Sequence, residues 1–144
     1  MWTYKGHQIK DLPEDIVGFV YCIYYTDGRK YIGKKLTKKQ VKLKPRKNDR
    51  INARRVVERE SDWRVYNGSS KHTKELTIHS KVILHLCTSK RTVTYLEEKE
   101  LFAVDAPVNK EYINETISRR YYDNALEGLY EGPVDIQGGL FEQD

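Results

Sequence analysis

The sequence predicts a mixed α/β domain, and three features of the 144-residue chain support this prediction. Residues 18–26 are almost wholly apolar or aromatic, and residues 30–32 follow them after the turn dipeptide Asp27-Gly28, which together form a strong hairpin signal. Residues 81–87 are compact and apolar and predict a third strand. Residues 92–106 have apolar positions at helical spacing and predict a helix.

The remaining segments predict less regular structure. Residues 34–50 are rich in lysine and contain Pro45, so we expect an exposed loop there. Residues 51–60 are compatible with a helix. The length fits one domain, which we place at residues 1–130. Residues 131–144 contain no lysine or arginine and predict an acidic C-terminal extension.

Positive charge is concentrated in one part of the chain. The net charge is +5 at pH 7, but residues 29–59 alone hold 14 basic and 2 acidic residues, a net of +12. Such a concentration is expected of a protein that binds a phosphate backbone, because each neutralised phosphate releases condensed counterions. The alternative is a solvated lysine surface that maintains solubility. We favour a nucleic-acid partner.

Several classes of protein are excluded by what the sequence lacks. No apolar run approaches the length of about 20 residues that spans a bilayer, and the N-terminal residues lack the apolar stretch of a secretory signal. Cys22 and Cys87 are isolated and predict buried free thiols. No Walker loop or dinucleotide fingerprint is present, so we expect no dinucleotide cofactor. We therefore expect an intracellular, cytoplasmic protein with no membrane partner.

One carboxylate on the predicted helix has an unusual direction. At about 100° per residue, Glu97 projects between Leu101 and Val104 on the apolar side. A carboxylate on the inward side of a helix is costly unless a positive or hydrogen-bonding group meets it. Glu97 is therefore either a helix-edge residue whose carboxylate reaches water or a ligand in a metal or phosphate site.

The hairpin also carries a pair of tyrosine motifs. Residues 18–21 read Gly-Phe-Val-Tyr and residues 31–33 read Tyr-Ile-Gly, and the two tyrosines are ten residues apart. Later segments read Glu-Ser-Asp-Trp-Arg-Val-Tyr-Asn-Gly-Ser-Ser at 60–70, Tyr-Leu-Glu-Glu-Lys-Glu-Leu-Phe at 95–102 and Tyr-Ile-Asn at 112–114. In this order the segments resemble the GIY-YIG nuclease superfamily, in particular its phage-encoded, homing-type endonucleases.

The resemblance implies a fold, an activity and a set of site residues. The fold is a small three-stranded antiparallel sheet flanked by helices, and the activity is hydrolysis of DNA phosphodiesters assisted by one divalent cation. Tyr31 would activate the attacking water, and Tyr21 would orient the water or the scissile phosphate. Glu97 would hold the metal. Gly33 would let the backbone approach closely, and Asn114 would support the site.

The residue types suit this chemistry. A hard cation, Mg²⁺ or alternatively Mn²⁺, accepts one carboxylate and fills its other positions with water and phosphate oxygens. A tyrosine, with a pKa near 10, is a poor base unless cations lower that pKa, and we expect the lysines around Tyr31 to do so. The arginine that the family places on its first helix falls at Val41 here. Lys35 is the first substitute, and the alternatives are Arg54, Arg55 and Arg64.

Further residues are expected to contact the nucleic acid, which we take to be double-stranded DNA. They are Lys34, Lys38, Lys39, Arg46, Arg50, Arg54, Arg55, Arg64, Ser69 and Ser70. Each candidate also has a purely structural explanation, such as a core position for a tyrosine or a turn for Asn114. Two other functions stay open: a catalytically impaired nucleic-acid-binding protein with the same fold, and an interaction protein that engages a host factor.

Overall fold

A computed structural model describes residues 1–44, 47, 55–70, 73–123 and 128–135 of the chain. Strands, one α-helix and a 3₁₀ turn make up the regular structure of this part. In chain order they are β1 (Trp2–Tyr4), β2 (His7–Gln8), β3 (Gly18–Tyr25), β4 (Lys30–Leu36), β5 (Lys38–Leu43), β6 (Arg55–Glu60), the 3₁₀ turn (Trp63–Val65), β7 (Ile78–Cys87), α1 (Lys90–Ala103), β8 (Thr116–Ile117) and β9 (Tyr121–Tyr122).

The main sheet has five strands in the order β2-β1-β7-β3-β4. Strand β3 lies inside the sheet, antiparallel to both β4 and β7, and its unbroken apolar run follows from burial on both faces. The predicted hairpin and third strand are therefore confirmed. The prediction of three strands is wrong, because β1 adds in parallel to β7 and β2 pairs with β1. This pairing joins residues far apart in sequence.

Each face of the sheet has its own apolar core. Phe19, Tyr21 and Ile23 face a core that also contains Trp2 and Trp63. The alternate residues of β3 and β4 face a second core, which α1 covers. The second core comprises Val20, Cys22, Ile32, Cys87, Val93, Leu101, Ala106 and Ile117. Because α1 covers one face and no other α-helix occurs in the described ranges, the prediction of flanking helices is wrong.

Helix α1 begins and ends close to the predicted positions. Ser89 precedes it, and the Ser89 hydroxyl accepts a hydrogen bond from the Thr92 backbone N–H, which caps the first turn. The helix ends at Ala103, and Asp105 follows with φ of 51°. The predicted helix over residues 92–106 is thus confirmed, with its boundaries shifted toward the N-terminus.

The lysine-rich segment is the largest departure from prediction. Strands β5 and β6 pair antiparallel, with Val41 opposite Val57, and form a two-stranded β5–β6 ribbon outside the main sheet. The predictions of a loop over residues 34–50 and a helix over residues 51–60 are therefore wrong where the structure describes them. Alternating side chains and the β-branched valines favour a strand. Pro45 and residues 48–54 lie outside the described residues.

The remaining expectations concern the two cysteines, membrane-spanning segments and the C-terminal region. Cys22 and Cys87 are buried and form no disulfide. Within the described ranges, no helix has the length and apolar character needed to cross a bilayer. Residues 128–135 are exposed, and the rest of the predicted C-terminal extension lies outside the described residues.

Candidate active site

Tyr21 and Tyr31 lie side by side on the tyrosine face of the main sheet, which is the face of the β3–β4 hairpin that carries Tyr21, Tyr31 and Lys35. Their ring centroids are 6.3 Å apart. Gly33 is opposite Tyr21 in the hairpin register. A Cβ atom at Gly33 would lie 2.5 Å from Tyr21 Cζ and closer still to the hydroxyl oxygen. The glycine therefore leaves the space that the Tyr21 phenol occupies, in addition to any close approach of the backbone.

The Tyr21 phenol is held inside the protein. Only 1% of the residue is exposed, and its hydroxyl is hydrogen-bonded to Tyr66. Burial strongly raises the pKa of Tyr21, and the charges of Tyr66, Tyr31 and Glu97 raise it further. Tyr21 is thus a fixed, protonated phenol that can position a neighbour but cannot act as a base.

The Tyr31 phenol is half-buried, and its pKa is also raised. Burial is the main cause, the charges of Tyr66 and Glu97 add to it, and a hydrogen bond between Tyr31 and Ser69 opposes it. The expected lowering of this pKa by nearby lysines is therefore wrong. Lys30 and Lys34 alternate with Tyr31 and point to the other side of the strand, and Lys35 is bound elsewhere.

A loop from Tyr66 to Ser70 covers the tyrosine pair. Gly68 has φ of +96°, and a Cβ there would lie 3.9 Å from both the Tyr21 hydroxyl and Tyr31 Cδ1. The predicted DNA-binding residues Ser69 and Ser70 belong to this loop. Ser69 bonds to Tyr31, so the segment that resembles the family's Tyr-x-Gly-Ser-Ser motif folds onto the tyrosines.

Lys81 anchors this loop, and sequence analysis missed it. Its Nζ donates to the Tyr66 carbonyl at 2.7 Å and to Asn67 Oδ1 at 3.1 Å, and it lies 4.5 Å from the centroid of the Trp2 ring. The residue is 6% exposed, and burial lowers the pKa of its ammonium. The only signal in the sequence is a lysine that begins an otherwise apolar segment.

Lys35 is a cation of the tyrosine face, and it contacts Tyr66 and Asp62. Its Nζ is 2.6 Å from Asp62 Oδ1 and 4.0 Å from the centroid of the Tyr66 ring. Its side chain is 19% exposed. Lys35 lowers the pKa of the exposed Asp62 carboxyl through this contact. Tyr66 thus contacts the Lys35 ammonium through its ring and Tyr21 through a hydrogen bond.

The two described alternatives, Arg55 and Arg64, have positions or partners elsewhere. Arg64 binds Asp11, Glu60 and the Lys10 carbonyl, so carboxylates already compensate its charge. Arg55 lies in β6 of the ribbon, and Arg54 lies outside the described residues. Val41, where the family's arginine falls, is in strand β5 and not on a helix.

Glu97 is a half-buried carboxylate on the side of α1 next to strand β4. Burial raises its pKa, the ammonium of Lys34 opposes the rise and Glu98 adds to it. It makes no hydrogen bond or ion pair with any residue in the described part of the chain. Its charge nevertheless raises the pKa values of both Tyr21 and Tyr31, so the three groups are close enough to interact.

The surroundings of Glu97 fit a hard divalent cation. Neighbouring Glu100 is paired with His85 at 2.7 Å, whereas the Glu97 carboxylate forms no ion pair within the described ranges and only the charge of Lys34 opposes its own. The described residues contain no group of three or more His, Cys, Asp or Glu side chains that could enclose a metal ion. A cation at Glu97 would thus have one protein carboxylate, and water and phosphate oxygens would complete its shell.

Asn114 supports the outer edge of strand β4. Its side-chain oxygen accepts from the Ile32 N–H at 2.9 Å, and its side-chain nitrogen donates to the Ile32 carbonyl at 2.7 Å. Both ends of the amide are engaged, so Asn114 fixes the strand that carries Tyr31 and Gly33. A small cavity of about 180 Å³ lies against Tyr31, Ser70 and Asn114.

The remaining predicted DNA-binding residues are distributed over two regions. Lys34 Nζ donates to Thr94 Oγ1 at 3.0 Å on the helix side. Lys38, Lys39 and Arg55 belong to the β5–β6 ribbon. Arg46, Arg50 and Arg54 lie outside the described residues, so their predicted role stays a prediction.

Comparison with known proteins identifies the family. Residues 2–126 match the family model described as "Putative endonuclease segE, GIY-YIG domain". No curated protein and no solved structure matches the chain significantly. The family match includes the tyrosine hairpin, the covering loop, helix α1 and Asn114. The chain therefore belongs to the GIY-YIG endonuclease family, in the group described for segE.

Proposed function

We propose that the chain is a metal-dependent endonuclease that hydrolyses phosphodiester bonds of double-stranded DNA, with Mg²⁺ as the cation and Mn²⁺ as a substitute. The observation that carries the proposal is the cluster of Tyr21 and Tyr31, with ring centroids 6.3 Å apart, and the Tyr66–Ser70 loop that lies over them. It joins three family segments that are distant in the sequence. The family's description as an endonuclease supports the same class of reaction.

Glu97 would hold the cation. A hard cation needs only one carboxylate when water and phosphate oxygens fill its other positions. When bound, it supplies positive charge against the phosphate oxygens on which negative charge develops. Lys35 would add a second positive charge from the side of Tyr66, as a point charge where an arginine would offer a fork.

Tyr31 would orient the attacking water or a phosphate oxygen through its hydroxyl. Its raised pKa keeps the phenol protonated at neutral pH, so it is not a ready base in the resting site. Tyr21 would hold the position of Tyr66, and Asn114 would hold the strand that carries Tyr31. Gly33 would keep the space for Tyr21.

The test is cleavage of supercoiled plasmid with Mg²⁺, Mn²⁺ or EDTA. We expect the wild type to cleave with either metal and not in EDTA. Tyr31→Phe should lower the rate about 100-fold, the scale of a positioned proton-transfer or hydrogen-bonding group. Glu97→Gln should lower it about 1000-fold, because several kcal/mol of charge stabilisation disappear.

Two matched controls separate these effects from general damage. Tyr95 is an exposed tyrosine on α1, and Glu98 is the carboxylate next to Glu97. Tyr95→Phe and Glu98→Gln should cleave at the wild-type rate. Equal cleavage by the wild type, Tyr31→Phe and Glu97→Gln would remove the proposed mechanism.

A nucleic-acid-binding protein without turnover is the second candidate. Two observations favour it. Lys35 is already paired with Asp62 at 2.6 Å, and Arg64 is paired with Asp11 and Glu60. Neither cation is therefore free to face a phosphate in this arrangement. Binding of duplex by a wild type that cleaves with neither metal would select this candidate.

A further inference from the structure

The β5–β6 ribbon has two faces of different character. Side chains alternate along each strand, and residues directly opposite each other share a face. The first face, here the cationic face, carries three basic residues and no acidic one. Its members are Lys39, Arg59, Val41, Val57, Leu43 and Arg55. The second face carries both glutamates of the ribbon, Glu58 and Glu60.

Both glutamates of the second face are paired within the protein. Glu58 lies 3.7 Å from Lys38 Nζ, and Lys38 also donates to the Glu14 carbonyl at 2.9 Å. Glu60 accepts hydrogen bonds from Trp63 Nε1 and Arg64 Nε, each at 2.9 Å. This face therefore attaches the ribbon to the body of the domain.

The cationic face is not compensated in this way. Lys39 is directly opposite Arg59, and both are exposed. Neither they nor Arg55 form a hydrogen bond or ion pair with a described residue. Like charges directly opposite on a strand pair are destabilising. The arrangement is therefore unfavourable unless an anion lies between or beside these side chains.

The cationic face begins close to the tyrosine face of the main sheet. Only Thr37 separates β4 from β5, and the Thr37 hydroxyl donates to the Ile16 carbonyl at 2.7 Å, which fixes the junction. Lys35, on the tyrosine face, and Lys39 both lower the pKa of Asp62. The six paired residues of each strand extend the surface by about 20 Å from this junction.

We propose that Lys39, Arg55 and Arg59 bind the phosphate backbone of a DNA duplex several base pairs from the bond at the tyrosine site. Duplex DNA is the occupant because a two-stranded ribbon fits the B-form major groove, about 12 Å wide, and not the deep, narrow groove of A-form RNA. The choice of DNA rests on the proposed function. The ribbon is thereby a docking element, physically separate from the residues that would perform hydrolysis.

The test measures binding without cleavage. The full chain is titrated in EDTA against a fluorescently labelled 20-base-pair DNA duplex, by anisotropy, between 50 and 200 mM KCl. The double variant Lys39→Gln with Arg59→Gln is compared with a control variant, Lys42→Gln with Lys74→Gln, which removes the same charge from two exposed positions outside the cationic face. Thermal unfolding of each variant is recorded, and the cationic-face variant should be no less stable than the wild type, because it loses a repulsion.

The expected result is a difference in salt dependence. The slope of log K against log[KCl] should fall in magnitude by about 1.8 in the cationic-face variant, for two lost phosphate contacts, and its affinity should fall about tenfold. The control variant, Lys42→Gln with Lys74→Gln, should keep the wild-type slope. Equal slopes for the two variants, or a wild type that does not bind DNA, would overturn the proposal. Equal affinity for an RNA duplex of the same sequence would overturn the choice of DNA.

Plasmid cleavage by the same three proteins, with Mg²⁺ in place of EDTA, distinguishes this proposal from the proposed function. If the wild type cleaves and the cationic-face variant binds with the wild-type slope, the docking proposal fails and the nuclease stands. If no sample cleaves but the slope falls as expected, the nuclease fails and the docking surface stands.

Discussion

The β3–β4 hairpin and the β5–β6 ribbon are both antiparallel pairs of neighbouring strands, and they are built in opposite ways. The hairpin is buried in the main sheet between two apolar cores, whereas the ribbon is largely exposed and lies outside that sheet. Packing on both faces can hold a phenol to a fraction of an ångström. A pair held chiefly by its own hydrogen bonds can present many charges. The comparison indicates that the hairpin is built to position reacting groups and the ribbon to bind a polyanion.

The sharpest way to break this comparison is Gly33→Ala. A Cβ at Gly33 would overlap the Tyr21 ring, so we expect a loss of about 1–3 kcal/mol in the free energy of unfolding and near-complete loss of cleavage. Val57→Ala in the ribbon should cost less than about 1 kcal/mol, since Val57 is only half-buried. Denaturant unfolding measures both. Equal losses would show that the two strand pairs do not differ as described.

Lys81→Met tests how the loop over the hairpin is held. The methionine fills the same space, but the Tyr66 carbonyl and Asn67 lose their donor, so we expect the loop to shift and cleavage to fall about tenfold. DNA binding through the ribbon should not change. Lys74→Met, at an exposed position, is the control. A Lys81→Met protein that cleaves at the wild-type rate would assign Lys81 to packing alone.

The smallest expected effect is a displacement of the pH profile. Burial raises the pKa of Glu97, so on acidification this carboxylate takes up a proton at higher pH than an exposed glutamate does. As the pH is lowered, the cleavage rate should therefore begin to fall at a higher pH than it would with an exposed glutamate as the metal ligand. Lys34→Gln should move this acid limb to still higher pH, because the Lys34 ammonium lowers the pKa of Glu97. An unmoved limb in Lys34→Gln would contradict this assignment.

Local patterns were sufficient to predict the hairpin, strand β7 and helix α1. Each has a continuous apolar run or a helical apolar spacing that belongs to one segment. The parallel addition of β1 to β7 and the contact of Lys81 with the loop at Tyr66 join residues distant in the sequence, and no local pattern indicates them. The ribbon was missed because lysine dominates its first strand, and its strand signals are short: Val41 alternating with Leu43, and Val56-Val57.

The candidate site shows the same division. The motifs indicated Tyr21, Tyr31, Gly33 and Glu97, and the structure shows how glycine makes room for a phenol and how a loop covers the tyrosine pair. The sequence could not show that Asp62 binds Lys35 or that burial raises the pKa of Tyr31. Both depend on neighbours that only the fold brings together.

The most direct test of the central claim is the titration of Tyr31 by NMR, with ¹³C-labelled tyrosine, in the wild type and in Glu97→Gln. Because the charge of Glu97 raises the pKa of Tyr31, its removal should lower that pKa, and Glu98→Gln should leave it unchanged. Tyr31→Phe identifies the resonance. An unchanged Tyr31 pKa in Glu97→Gln would mean that the carboxylate and the phenol do not share a site, and the proposed active site would be wrong.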